Sequence, residues 1–189
     1  MTLNKINEIF DENLAVISES KKISVQIQDV VDIITNCYKN GNKVIIFVNG
    51  GSAADAQHWA AELIGRFKIE RQSLPAIALT TDTSIITSLG NDYGFDYIFA
   101  RQCESLVHKG DIVIGISTSG KSQNVLKGIV TARKKGARIV GLTGLTGTDM
   151  QNLVDVLLIV PSKSTPRIQE GHRIIMHVIC EVVEENFKK

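Results

Sequence analysis

An excess of charge of either sign is missing from this chain. Its 189 residues carry 21 Lys and Arg against 20 Asp and Glu, so no basic surplus points to a nucleic-acid partner. Cysteine is scarce: Cys37, Cys103 and Cys180 lie far apart and form no C-x-x-C pair. An odd, scattered set fits reduced thiols in a cytosol, and the apolar neighbours of Cys180 suit core packing. Also missing is any apolar run near the roughly 20 residues of a membrane span. The amino terminus is polar and charged from Asn4 on, which argues against a signal peptide. Repeats, low-complexity stretches and linkers are absent too. The expectation is a soluble, cytoplasmic protein of one domain, residues 1–189, long enough for a three-layer core and without nucleic-acid or membrane partners.

What is present is an alternation of periods. Residues 3–40 read as helix, with Ile6, Phe10, Leu14 and Ile17 on one stripe. After a polar break near Glu19 to Lys22, Ile27, Val30, Ile34 and Tyr38 line a second stripe, and Asn40-Gly41-Asn42 ends it. Strands are expected at 44–48, 76–79, 112–116, 138–142 and 156–160, separated by helices at 52–66, 95–107 and 122–135. Such alternation predicts an α/β fold, a doubly wound parallel sheet of about five strands between helices. The segments divide as 1–40 (helical extension), 43–162 (α/β core) and 167–187 (closing helix). That last helix, about 168–186, carries an apolar face of Ile175, Val178, Ile179 and Val182. Amphipathic helices at both ends hold more apolar surface than one sheet needs, which predicts contacts between copies.

Residues 44–62 carry the most functional information. A buried strand runs into Asn49-Gly50-Gly51, Ser52 is placed to cap the next helix, and His58 and Glu62 stand one turn apart on it. A second strand runs into Ser117-Thr118-Ser119-Gly120-Lys121-Ser122. Four hydroxyls there, a glycine that admits close approach and a following helix N-terminus suit a phosphate. Neither a nucleoside-triphosphate loop nor a G-x-G-x-x-G fingerprint is expected here, and a small phosphorylated molecule is expected rather than a nucleotide. On the closing helix, Gln169, Glu170, His172 and His177 crowd polar groups together. Gln169 and His177 lie eight residues apart, about 12 Å along a straight helix. They can share one small ligand only if the helix start is irregular or other chains contribute.

Asn49-Gly-Gly-Ser with His58 and Glu62, Gly90-Asn-Asp-Tyr-Gly, Ser117-Thr-Ser-Gly-Lys-Ser and Arg167-Ile-Gln-Glu resemble the sugar isomerase (SIS) family along nearly the whole chain. Within it the match is to the branch that isomerises a heptose phosphate. The resemblance implies a flavodoxin-like sheet flanked by helices and a homotetramer with active sites between subunits. It implies conversion of sedoheptulose 7-phosphate to D-glycero-D-manno-heptose 7-phosphate, the first step toward activated heptose for lipopolysaccharide or other glycans.

By the same resemblance, Ser117, Thr118, Ser119 and Ser122 hold the phosphate. Asn49, Gly50, Gly51, Ser52, Glu62, Asn91, Asp92 and Gln169 hold the sugar. His58, Glu62, Gln169 and His177 bind one zinc ion per subunit. Aldose–ketose exchange needs a base at carbon and an acid–base group at oxygen, and Glu62 and His177 are our assignments for these roles. Val48 departs from the small residue expected before Asn-Gly-Gly. Two other classes share the fold: a binding protein of the replication-initiator-associating type, and a sugar-phosphate-sensing regulatory domain. The former lacks acidic and imidazole groups at positions 62 and 177, which this chain has. The latter comes fused to a DNA-binding module, of which nothing is seen.

Overall fold

A computed structural model describes residues 2–188. Two long helices come first, α1 (Thr2–Ser20) and α2 (Ser24–Lys39), joined by a 3-10 turn at Lys21–Ile23 where the polar break was expected. Then follow β1 (Val44–Phe47), α3 (Ala53–Ile64), β2 (Ala76–Ala78), α4 (Thr83–Asp92), α5 (Ile98–Leu106) and β3 (Ile112–Ile116). The chain continues through α6 (Gln123–Lys134), β4 (Arg138–Gly144), β5 (Val156–Val160) and α7 (Thr165–Glu185). The five strands are all parallel, in the order β2-β1-β3-β4-β5. This is the flavodoxin-like order, and the direction of winding switches between β1 and β3, where such sheets bind ligands.

Period-two alternation sorts each strand's side chains between the two faces. Val44, Ile46, Ile112, Ile114, Val140 and Leu142 pack with α2, α3 and α7. Ile45, Phe47, Val113 and Ile139 pack with α5 and α6. Because both faces are covered, the strands read as continuous apolar runs. At the opposite end of the sheet from the loops that follow β1 and β3, buried Asp111 joins β1 to β3. It accepts from Lys43 Nζ at 2.6 Å, from the Lys43 N–H at 3.1 Å and from the His108 N–H at 2.8 Å.

Several local expectations are corrected. Ser52 makes no capping bond, because residues 50–52 form a 3-10 turn ahead of α3. α4 was not expected; Thr and Ser fill its sequence, and Asp82 starts it by accepting the Ile85 N–H at 2.9 Å. On α7 the buried face is Ile175, Met176, Ile179, Cys180 and Val183, while Val178 is exposed beside Ile174. The α1 stripe also faces out, with Ile6, Phe10 and Leu14 exposed. All three cysteines are free and buried. Burial pushes the Cys103 and Cys180 thiols up to about 12 and Cys37 to about 11, which makes them inert at neutral pH.

Candidate active site

The carboxyl ends of β1 and β3 open on a cavity of about 160 Å³. Asn49, Gly50, Gly51 and Ser52 line it from the first loop, Ser117, Thr118 and Ser122 from the second, and Gln169 from α7, with Val48 in the wall. Val48 is itself buried in the core, so its bulk is absorbed there. Ser52 Oγ, free of capping, accepts from Gln169 Nε2 at 3.1 Å. Ser117 and Ser122 meet Oγ to Oγ at 3.0 Å across the second loop. Ser119 is exposed on the same turn and accepts the Lys121 N–H at 3.2 Å.

Glycines set the shape of that turn. Gly120 has φ +69, and a Cβ there would stand 2.3 Å from Gly147 Cα. Gly147 in turn lies against Thr143, so the loop after β4 supports the 117–122 loop from behind. The Gly144 N–H donates to the Thr118 carbonyl at 3.1 Å as a further tie. By letters, Gly115-Ile-Ser-Thr-Ser-Gly-Lys-Ser does satisfy G-x-x-x-x-G-K-[ST], so the expected absence of a nucleoside-triphosphate loop cannot rest on spacing. It rests on the structure instead. Gly115 is a strand residue in register with Phe47 and Gly141, so its backbone belongs to the sheet. Only residues 117–122 remain to form the turn, and Lys121 points to solvent.

Along α3 and α7 the partners advance together. Ser52 meets Gln169; Asp55 accepts from Arg173 Nε at 2.9 Å and pairs again with its Nη2; the His58 and His177 rings lie 5.2 Å apart. The two helices therefore run side by side in the same direction. At the far end of this ladder His58 Nε2 and Glu62 Oε1 are 2.8 Å apart. Ligand atoms of His58, Glu62 and His177 all lie within 4.8 Å of one another. Two imidazoles and a carboxylate at that spacing are a donor set suited to a divalent transition metal with an open position.

The ring of His177 is held from behind by Phe67, at 5.5 Å between centroids. Phe67 is fixed in turn by Glu184, whose buried carboxylate accepts the N–H groups of Phe67, Lys68 and Ile69 at 2.7, 2.6 and 2.9 Å. Arg71 Nε stands 3.2 Å from the same carboxylate. Burial alone would raise Glu184, but the three N–H bonds and the guanidinium together hold it below the usual carboxylate range.

The structure thus brings two groups of expected residues together and separates others. Gln169 belongs to the cavity, two turns from His177, and α7 is a regular helix across both. Asn91 and Asp92 end α4 in solvent, bonded to each other at 2.8 Å, and do not line the cavity. Asn124 was missed, and so was the Asp55–Arg173 rung. Asn124 exchanges two hydrogen bonds with Asn49, each 2.7 Å. Its sequence signal was slight, a polar residue just inside a helix start.

A model of the SIS domain family matches residues 8–144. The phosphoheptose isomerase of Aquifex aeolicus is 54% identical over 184 residues, covering 97% of this chain and 96% of that protein. That of Citrifermentans bemidjiense is 55% identical over 163 residues, covering 86% and 85%. The chain belongs to the phosphoheptose isomerase family of SIS domains. A solved phosphoheptose isomerase from Francisella tularensis superposes with a TM-score of 0.94 at 37% identity, over 98% of this chain and 99% of that one. The phosphoheptose isomerase architecture therefore extends over both helical ends as well as the sheet.

Proposed function

We infer that this chain is an aldose–ketose isomerase that converts sedoheptulose 7-phosphate to D-glycero-D-manno-heptose 7-phosphate. The observation that carries the reading is that the chain holds both a hydroxyl-lined cavity at the β1–β3 switch point and a Glu–His cluster suited to acid–base work. The 117–122 loop and the dipole of α6 hold the phosphate. Residues 49–52 and Gln169 hold the sugar hydroxyls. Glu62 removes a proton from C1 of the ketose, the electron pair moves to O2, and an enediol forms. His177 carries the proton between O1 and O2, and Glu62 returns its proton to C2 to give the aldose. Product formation from sedoheptulose 7-phosphate, with solvent deuterium appearing at C2, tests this. A folded chain that gives no product overturns it, and a non-catalytic binding protein of the replication-initiator type would then be the reading to pursue.

His58, Glu62 and His177 fit a zinc ion by donor type and spacing. When bound, zinc would supply Lewis-acid polarisation of the carbonyl. Elemental analysis of the purified chain, with chelation and re-addition of zinc, tests the assignment. Loss of turnover without loss of fold is expected, and full turnover in a metal-free sample would end it.

The resemblance also puts Gln169 among the ligands. Since α7 is regular from Thr165 to Glu185, Gln169 and His177 of one copy cannot reach the same ion. We therefore place the complete site between subunits of a homotetramer, the cavity of one copy facing the acid–base cluster of a neighbour. The exposed apolar residues of α1 and α7 are the surfaces that would bring copies together.

A further inference from the structure

The two ligand loops leave different strands, and one pair of side chains joins them. Asn49 follows the end of β1, and Asn124 stands in the first turn of α6. Nδ2 of each donates to Oδ1 of the other at 2.7 Å. Asn124 is only 2% exposed, does not line the cavity, and its Oδ1 also accepts the Val125 N–H at 2.9 Å. Asn49 does line the cavity. Among the described residues no other side-chain hydrogen bond links residues 49–52 to residues 117–124.

A primary amide has two N–H donors and two lone pairs. The reciprocal pair uses one of each from Asn49 and leaves one of each for a ligand. Two antiparallel bonds also fix the twist of the Asn49 amide, which a single bond leaves free. The phosphate is gripped by the hydroxyls and N–H groups of one loop, and the sugar by the other. A phosphate-anchored substrate presents its reacting carbons correctly only if the separation of the two loops is constant.

We propose that Asn124 is a positioning residue, a crossbar that holds the sugar loop at a set distance from the phosphate loop through Asn49. This rests on the cavity being the sugar-phosphate site. Loss of the crossbar displaces the sugar end and leaves the phosphate grip intact, so it acts on kcat, where small misplacements are costly.

The test uses the full chain with Asn124→Asp, Asn124→Ala, Asn49→Ala and the Asn49/Asn124 double alanine. Asn124→Asp keeps the oxygen that accepts the Val125 N–H, so the start of α6 survives. It removes the donor to Asn49 and sets an oxygen against Asn49 Oδ1. The expected result is a fall in kcat of about tenfold or more with unchanged inhibition by inorganic phosphate. The double variant should be no slower than the slower single, since both remove one unit. Parental kcat in Asn124→Asp, additive losses in the double, or phosphate inhibition weakening in step with kcat would each overturn the proposal. If the parent chain itself leaves sedoheptulose 7-phosphate unconverted, the isomerase reading fails instead. Amide exchange then decides the crossbar: Asn124→Asp must speed exchange at residues 50–52 while Val125 stays protected, and unaltered exchange at 50–52 overturns it.

Discussion

Replacing Glu62 by Gln exchanges one carboxylate oxygen for an amide nitrogen and keeps the side chain's size and its reach to His58, 2.8 Å away. If Glu62 is the carbon base, that variant folds and binds sugar phosphate but loses turnover by several orders of magnitude, as steady-state rates and a binding titration will show. Near-normal turnover would remove Glu62 from the mechanism. His172 gives a different residue-scale expectation. It is buried, donates from Nε2 to the Thr143 carbonyl at 3.2 Å, and its Nδ1 has no partner among the described residues. Burial lowers it to about 4 from an ordinary 6.5. Between those values the unfolded chain takes up a proton that the native chain refuses, so stability falls as pH drops from 6.5 toward 4. That amounts to roughly 3 kcal/mol from this one group. Below that window Asp111 and Glu184, both held low in the native state, are protonated and continue the loss. Denaturant melts against pH should show His172→Gln flattening the upper limb only. At this scale the sequence was partly legible. His58, Glu62 and the Ser/Thr hydroxyls advertise themselves by type and spacing, whereas Asn124 and Asp55 act through partners 75 and 118 residues away.

Elements that answer to short-range physics were the most readable. β3 and β5 match their expected limits residue for residue, because strands covered on both faces must be apolar throughout. α4 escaped notice because Thr83, Ser84, Thr87 and Ser88 carry weak helix preference, and its Asp82 cap was the available signal. The loop between β3 and α6 shows how an element transmits a tertiary constraint. Gly120 is required there twice, by its φ of +69 and by the backbone of Gly147 at 2.3 Å from any Cβ. Gly120→Ala should therefore cost roughly 1–3 kcal/mol of stability from backbone strain alone. It should also abolish inhibition by inorganic phosphate, since the loop can relieve the contact only by moving. Ser119→Ala, on the exposed side of the same turn, should weaken phosphate binding by roughly 1.5–3 kcal/mol and leave the melt unchanged. Equal phosphate binding in Gly120→Ala and the parent would put the cradle elsewhere.

At the scale of the whole molecule, the parallel run of α3 and α7 decides what one copy can and cannot assemble. Periodicity shows each helix but not their common direction, so the sequence left open whether Gln169 and His177 could serve one ligand. The regular course of α7 closes one of the two routes left open, an irregular helix start, and leaves the other, a contribution from another chain. The same surface logic applies to α1, where Phe10 is 65% and Leu14 64% exposed on the same stripe as the exposed Ile6. Such side chains on a long amphipathic helix suit burial against another copy. Phe10→Glu with Leu14→Glu should then lower the mass seen by light scattering and reduce turnover, although neither residue lines the cavity. Subunit mixing makes a sharper test. Gln169→Ala disables the cavity side and His177→Ala the acid–base side, and each homo-oligomer should be nearly inactive. When the two are co-refolded in equal amounts, some sites in the mixed oligomers receive an intact Gln169 from one copy and an intact His177 from the other. Activity should therefore reappear on mixing and be lost again when Phe10→Glu and Leu14→Glu are present in both chains. If mixing restores nothing although mixed oligomers form, each site is built within a single copy and Gln169 takes no part at the metal.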